Sequence, residues 1–328
     1  MKNENQLARK GTTVKLFGKL ASIREFSILI FLLVVGALIA FRSPYFLTTS
    51  NLMSVTRSLA STAIMAIGMT LVIITGGIDL SVGTVLGLSS LMAAICYKNG
   101  IGGVTPILAG LSVGLVFGLF NGILITKMKL PPFIATLSSM SIGRGIMYIL
   151  TEGRPLTPKL PASFKFFGQG YIGIFPFPVV LMLFLAVVFA IVMKCTRFGR
   201  YVYATGGNEE AAKLSGVRTD RIKIATYVIS GLLSAIAGLM LYARITSAEA
   251  NTGSGYEMDV IAATVIGGAS MSGGAGSVVG AILGSVLIGI ISNGIVLLGI
   301  NTYAQQMVTG LVILFAVGFD MIYGRKKQ

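Results

Sequence analysis

Ten apolar runs, at about residues 26–41, 58–75, 82–97, 104–126, 133–150, 178–194, 224–243, 258–270, 276–298 and 304–322, alternate with polar segments along the chain. A helix needs about 20 apolar residues to cross a hydrocarbon layer roughly 30 Å thick. The pattern predicts about ten transmembrane helices, and hence an all-α polytopic membrane protein. The eighth run is short for a span and is expected to tilt, break or enter only part way. One long polar passage, Lys194–Lys223, carries seven Lys or Arg and three carboxylates. Within it a short helix is signalled: Asn208 is a cap, Glu209 and Glu210 stand in the first turn, and Gly216 is a stop after Ser215. Ala211 and Leu214 are spaced to share one face of that helix. About seven residues make a marginal helix in isolation. Two readings follow: a solvated connector folded against its own bundle, or a peg through which a partner moves the membrane part.

The remaining segments divide the chain into an N-terminal tail, residues 1–25, and one transmembrane domain, residues 26–328. The loop over residues 151–177 holds Pro155, Pro158, Pro161 and Pro176 and predicts a surface segment with little long helix. A short interfacial helix is expected from Ser50 to Arg57. The fourth run has glycines at 110, 114, 118 and 122 followed by Ile123, and the ninth has glycines at 276, 280 and 284 followed by Asn293, Gly294 and Ile295. Glycine at every fourth position makes a flat stripe that lets another helix approach closely. Five spans separate the two runs, so they cross in opposite directions. That is the pattern of a five-plus-five inverted repeat.

Composition narrows the class. Hydrophobic residues make up 54% of the chain, charged residues 11%, and His and Trp are absent. The net charge of +15 lies at the ends of apolar runs rather than in a patch with interleaved aromatics, so topology explains it better than nucleic acid. With a cytoplasmic amino terminus, eighteen Lys or Arg fall inside and seven outside, which predicts both termini in the cytoplasm. The basic tail has no short apolar core with a cleavage site, so the first span is expected to act as an uncleaved anchor. Cys96 and Cys195 offer neither a disulfide framework nor metal-ligand spacing.

Two glycine-rich breaks hold the polar chemistry. Gly76–Gly83, GGIDLSVG, places Asp79 and Ser81 between the second and third spans. A carboxylate so near hydrocarbon must pair, line water or accept backbone hydrogen bonds. It is therefore a gate or path element, a cap on the third span, or both. Gly267–Gly274, GGASMSGG, lacks the GxxxxGK[ST] of a phosphate loop and is read as a tight turn with close helix packing. Asn121 and Asn293, each before a glycine in the echoed runs, either hydrogen-bond between helices or face the path. Arg144 lies within the fifth run, near enough to its outer end to snorkel. On the outer side, Arg57, Arg154, Arg244, Glu249, Glu257 and Asp259 form either a solvated rim or a docking surface. The chain has no zinc-ligand set, no Ser-x-x-Lys and no nucleotide motif, which argues against an enzyme.

The chain resembles the membrane permeases of ATP-binding-cassette sugar importers of the ribose type. The likeness is carried by AIMAIGMTLVIITGGIDLSVG from Ala63, PPFIATL from Pro131, TRFGRYVYATGGNEEAAKLSGV from Thr196, GYEMDVIAATVIGGASMSGG from Gly255 and NGIVLLGI from Asn293, in the family's order. It implies a type II importer permease fold in a bacterial inner membrane. It also implies a second permease subunit, identical or not, two ATPase subunits that bind the ATP and Mg, and a periplasmic or lipid-anchored sugar-binding protein. No cofactor is implied in this chain. The resemblance makes the stretch Gly206, Gly207, Asn208, Glu209, Glu210, Ala211, Ala212, Leu214, Ser215 and Gly216 the coupling helix that enters a groove on the ATPase. The sugar would pass along the dimer axis, with affinity supplied mainly by the binding protein. The motifs do not separate ribose from xylose, arabinose, galactofuranose or related furanosyl signalling molecules.

Overall fold

The computed structural model describes residues 24–301 together with 304, 307–311 and 314. The amino-terminal tail, most of the tenth apolar run and Arg325–Lys327 lie outside the described residues, and with them the expectations for an uncleaved anchor and for the carboxyl end. Each of the first nine apolar runs forms a helix. They are α1 (Arg24–Arg42), α2 (Thr49–Ile74), α3 (Val82–Lys98), α4 (Thr105–Thr126), α5 (Pro132–Thr151), α7 (Phe177–Cys195), α10 (Thr219–Ile245), α11 (Tyr256–Ile266) and α12 (Val278–Leu297). Short helices α6 (Ala162–Gln169), α8 (Arg197–Gly207) and α9 (Glu209–Leu214) fall in the two long polar segments.

Among the described residues six helices are long and apolar enough to cross a membrane: α2, α4, α5, α7, α10 and α12. Two more, α3 and the apolar part of α1, are shorter. The eighth run yields only the 11 residues of α11, a rise of about 16 Å, which is half a hydrocarbon layer. The short interfacial helix expected over residues 50–57 does not stand apart. Thr48 caps a single 26-residue α2 by accepting the Asn51 amide, and no proline interrupts the helix before Ile74.

Helices α2 and α10 form the centre. Their apolar windows are 83% and 67% buried within this one chain, against 17% for α7 at the periphery. In lipid, close van der Waals fit drives helix association, because burying apolar surface gains little there. The glycine stripe on α4 supplies that fit: a Cβ at Gly114 would lie 2.3 Å from the Gly231 carbonyl oxygen of α10, and one at Gly231 2.2 Å from the Gly114 carbonyl oxygen. On α12 a Cβ at Gly280 would lie 1.9 Å from the Gly267 carbonyl oxygen.

The Pro-rich segment makes a lid over one end of the bundle. Strand β1 (Tyr171–Ile172) pairs antiparallel with β2 (Phe175–Pro176). Phe164 of α6 packs edge to face on Tyr97, with centroids 5.1 Å apart, and against Tyr242 at 5.6 Å. Leu156 and Ala248 exchange backbone hydrogen bonds of 2.9 and 3.0 Å, which fastens the lid to the α10–α11 connection. Helices α8 and α9 lie at the opposite end.

Candidate functional site

The buried break between α2 and α3 is held by side chains from three elements. Asp79, 1% exposed, accepts the Ser81 amide at 3.0 Å and the Ser81 hydroxyl at 2.6 Å on Oδ1. Its Oδ2 accepts the Ser230 hydroxyl of α10 at 2.9 Å. Asn121 of α4 donates through Nδ2 to Ser81 Oγ at 2.9 Å. The neighbouring Ile78 carbonyl accepts from the Tyr227 hydroxyl at 3.1 Å and from Thr136 Oγ1 at 3.3 Å. Asp79 therefore closes a turn onto Ser81, the residue just before α3, and ties it across to α10; the expected cap on the third span is not formed, since Ser81 stands at the N-cap with no side-chain cap hydrogen bond. Sequence reasoning brought Asp79, Ser81 and Asn121 forward but missed Ser230 and Tyr227. Both lie about 150 residues away on the polar stripe of α10, and no local pattern pairs them with Asp79.

The other predicted path residue lies elsewhere. Asn293 exchanges two amide hydrogen bonds with Asn51 of α2, at 3.0 and 2.9 Å, and joins α12 to the start of α2.

At the α8–α9 end the predicted short helix is present. Asn208 Oδ1 accepts the Ala211 amide at 2.9 Å, and Gly216 adopts φ +83° just past the helix end. Ala212 turns inward and is buried, whereas Glu210, Ala211, Leu214 and Ser215 face outward, Leu214 being 90% exposed. Glu209 is the inward-turned carboxylate of the pair. It accepts from Lys213 at 2.9 Å, from Lys223 of α10 and from Thr219 at 3.3 Å. Partial burial pushes its carboxyl up, but the hydrogen bonds and charges of Lys213 and Lys223 outweigh this and hold it down at about 2.

The platform under α9 is made of backbone. A Cβ at Gly206 would fall 1.6 Å from the Ile74 carbonyl oxygen and 2.7 Å from the Gly274 amide nitrogen. That amide donates to the Ile74 carbonyl at 2.8 Å, and the Tyr203 hydroxyl of α8 donates to the Gly276 carbonyl at 2.8 Å. The second glycine-rich break is thus the tight turn its composition predicted. Gly267–Gly274, the end of α8 and the end of α2 meet at Gly206, and Ile74, the α2 residue it touches, lies five residues before Asp79. Gly207, beside it, has open space where its Cβ would stand.

At the lid end, Arg144 is half-buried, and its Nη1 donates to the Ala250 and Thr252 carbonyls, both at 2.9 Å. Arg57 stacks over Tyr171 at 4.5 Å and donates to the Gln169 carbonyl. Glu257 is half-buried and accepts the Gly255 amide at 3.2 Å. Arg154 and Glu249 are exposed, and Arg244 is half-buried. No group of three or more metal-ligating side chains gathers among the described residues.

The chain is similar to known proteins over most of its length. The family described as branched-chain amino acid transport system / permease component matches residues 51–317. The ribose import permease protein RbsC of Bacillus subtilis is 42% identical over 300 residues, which is 91% of each chain. RbsC of Escherichia coli K12 is 41% identical over 313 residues, covering 94% of this chain and 96% of that one. The galactose/methyl galactoside import permease protein MglC of Escherichia coli K12 is 36% identical over 327 residues, covering 94% and 97%. No solved structure gives a significant match.

Proposed function

The chain belongs to the branched-chain amino acid transport system / permease component family, and from that premise we propose that it is the membrane permease subunit of an ATP-binding-cassette sugar importer. Relatives named for ribose and for galactose import match nearly its whole length. The substrate class is therefore a monosaccharide of the ribose type. Such a permease is a transporter subunit rather than an enzyme, and ATP with its Mg belongs to a separate ATPase subunit.

The observation that carries the mechanism is the capped helix α9 standing on a backbone platform. Its outer face, Glu210, Ala211, Leu214 and Ser215, is free, while Glu209, Ala212 and Gly206 bind it to the bundle. An exposed leucine on a short rigid helix suits a groove on a partner. Closure of the ATPase subunits would move α9 as a rigid body. Gly206 would pass that displacement to the end of α2 and so to the Asp79 break, where Asn121 Oδ1 is buried without a partner. We take Asp79, Ser81 and Asn121 as the gate element, and Asn293 as a path-side helix clamp.

The full fold in this reading has ten spans in a five-plus-five inverted repeat. The contacts support it: α4 packs on α10 as α12 packs on α2, α3 on α10 as α11 on α2, and α3 on α4 as α11 on α12. Each pair is the other's mate under exchange of the two halves. The α8–α9 end then faces the cytoplasm together with both termini. The lid end faces outward and receives the sugar-binding protein, with Arg154 and Glu249 the freest of the outer charges, and Arg57, Arg244 and Glu257 behind them. Lipid and a second permease subunit cover the exposed apolar faces of α4, α5 and α7. Nothing in the charge pattern calls for nucleic acid.

Mild-detergent isolation of this chain from its native membranes tests the reading. A stoichiometric P-loop ATPase should co-purify with it and be lost on altering Glu210 or Leu214. A partner-free chain that carries sugar in ATP-free vesicles would mean that α9 is a connector in a secondary carrier.

A further inference from the structure

A cavity of about 300 Å³ opens in the lid-side half of the bundle, between α2, α11 and α12. It is separate from the Asp79 break and from α9. Ser54, Ser58 and Thr62 line it from α2. They stand at i, i+4 and i+8, so their hydroxyls form one row about 12 Å long on a single helix face. Opposite them stand Arg244, Tyr256 and Asp259 from the end of α10 and the start of α11.

The state of these polar groups sets the cavity apart. In the packed interior Thr70, Ser90, Thr264 and Ser285 return their hydroxyls to the carbonyl one turn back, at 2.7 to 2.9 Å. That is the usual way a hydroxyl is satisfied in an apolar bundle. Among the described residues the hydroxyls of Ser54, Ser58, Thr62, Ser292 and Tyr256 make no such bond, and neither does the Arg244 guanidinium. Asp259 Oδ1 accepts from Thr309 at 3.2 Å, which leaves its second oxygen for another donor. The cavity thus presents a row of donor-acceptors, one cationic donor and one anionic acceptor.

Charge and size limit what fits. An anion would meet Asp259 and a cation would meet Arg244, so the pair favours a neutral ligand that both donates and accepts. Val55, Leu59, Ile288 and the Tyr256 ring provide an apolar side for C–H groups. The volume is at the small end of small-molecule sites. We propose that this cavity is a resting site for one monosaccharide within each permease subunit, on the side where the sugar enters. The proposal rests on the importer reading for the choice of sugar, and on the cavity's unreturned hydroxyls for the site.

The test uses the permease assembled with its ATPase in proteoliposomes, with the binding protein omitted. A Ser58→Cys variant, in a Cys96→Ser, Cys195→Ser background, is labelled with N-ethylmaleimide; Ser54→Cys serves if that variant fails to assemble. Ribose, xylose, arabinose and galactose are tried in turn. At least one should slow labelling several-fold, while a Lys98→Cys control at the same end of the bundle is unaffected and glycerol, sulfate and choline give no protection. Arg244→Gln and Asp259→Asn should each abolish the protection. Labelling that no sugar slows, or that sulfate or choline slows equally, overturns the proposal. Uptake by the complete importer is measured in parallel on the unsubstituted chain. ATP-dependent uptake without protection removes the cavity site alone; protection with ATP-independent uptake keeps the site and removes the importer reading.

Discussion

The two glycine-rich breaks, Gly76–Gly83 and Gly267–Gly274, look alike in composition and are built on different physics. The first is fastened by side chains: Asp79 collects Ser81 and Ser230, and Tyr227 reaches the adjacent carbonyl. The second is fastened by backbone proximity, with Gly273 and Gly274 at positive φ beside Gly206 and a single amide bonded to Ile74. Side-chain hydrogen bonds can be exchanged for others at modest net cost, so a joint made of them can open. Backbone-to-backbone packing has no slack and transmits displacement. The break that carries the carboxylate is suited to rearrange, and the one pressed backbone to backbone is suited to push.

That contrast is sharpest at Gly206. Gly206→Val should cost about 3 kcal/mol or more, because the new atoms meet backbone rather than movable side chains. The expected outcome is little monodisperse protein, while Gly207→Ala, with open space around it, purifies normally; equal yields would break the contrast. Next in size is Asp79→Leu, which strands the Ser230 and Ser81 hydroxyls in a dry interior at about 2 kcal/mol. Its thermal unfolding should shift down, and Asp79→Asn should recover much of the loss by keeping the shape. A neutral outcome for Asp79→Leu would mean the first break is held by packing alone.

A smaller effect on stability and a larger one on activity are expected at the outer face of α9. Glu210→Arg should leave unfolding unchanged and reduce ATP-driven uptake several-fold; uptake equal to the unsubstituted chain would remove Glu210 from the coupling surface. The smallest effect belongs to Glu209→Gln, about 1 kcal/mol or less for a partly exposed ion pair. Since the Glu209 carboxyl is lowered from its ordinary value of 4.5 to about 2, its contribution is complete above pH 4.5 and is lost as the pH falls toward 2. Hydrogen exchange of the α9 amides should therefore differ between Glu209→Gln and the unsubstituted chain at neutral pH and converge near pH 2. A constant difference across that range would assign the effect to packing.

Much of this was legible beforehand, for local reasons. Asn208, the two glutamates and Gly216 predicted α9 within a residue, because capping and termination act over one turn. The stripe on α4 was legible because a four-residue repeat defines a helix face whatever covers it. Two things were not. The continuity of α2 back to Thr49 was hidden, since residues 50–57 read as an interfacial segment although Ser54 and Val55 line a cavity inside the bundle. The division of labour between Glu209 and Glu210 was hidden too: adjacent, chemically identical residues differ only in which one the bundle lies beneath.

Apolar length and charge bias determined, from the sequence alone, that this chain is a helical membrane protein, and several long motifs in order identified its family. Those signals are local or additive, and partitioning into lipid reads them one segment at a time. Only the tertiary structure decided that Asp79 is paired with Ser230, that Gly206 touches Ile74 and Gly274, and that five hydroxyls and Arg244 are left facing one cavity. Each is a contact between residues far apart in the chain, set by how closely rigid helices approach. In lipid that approach depends on shape at every layer of the interface, which no single segment specifies.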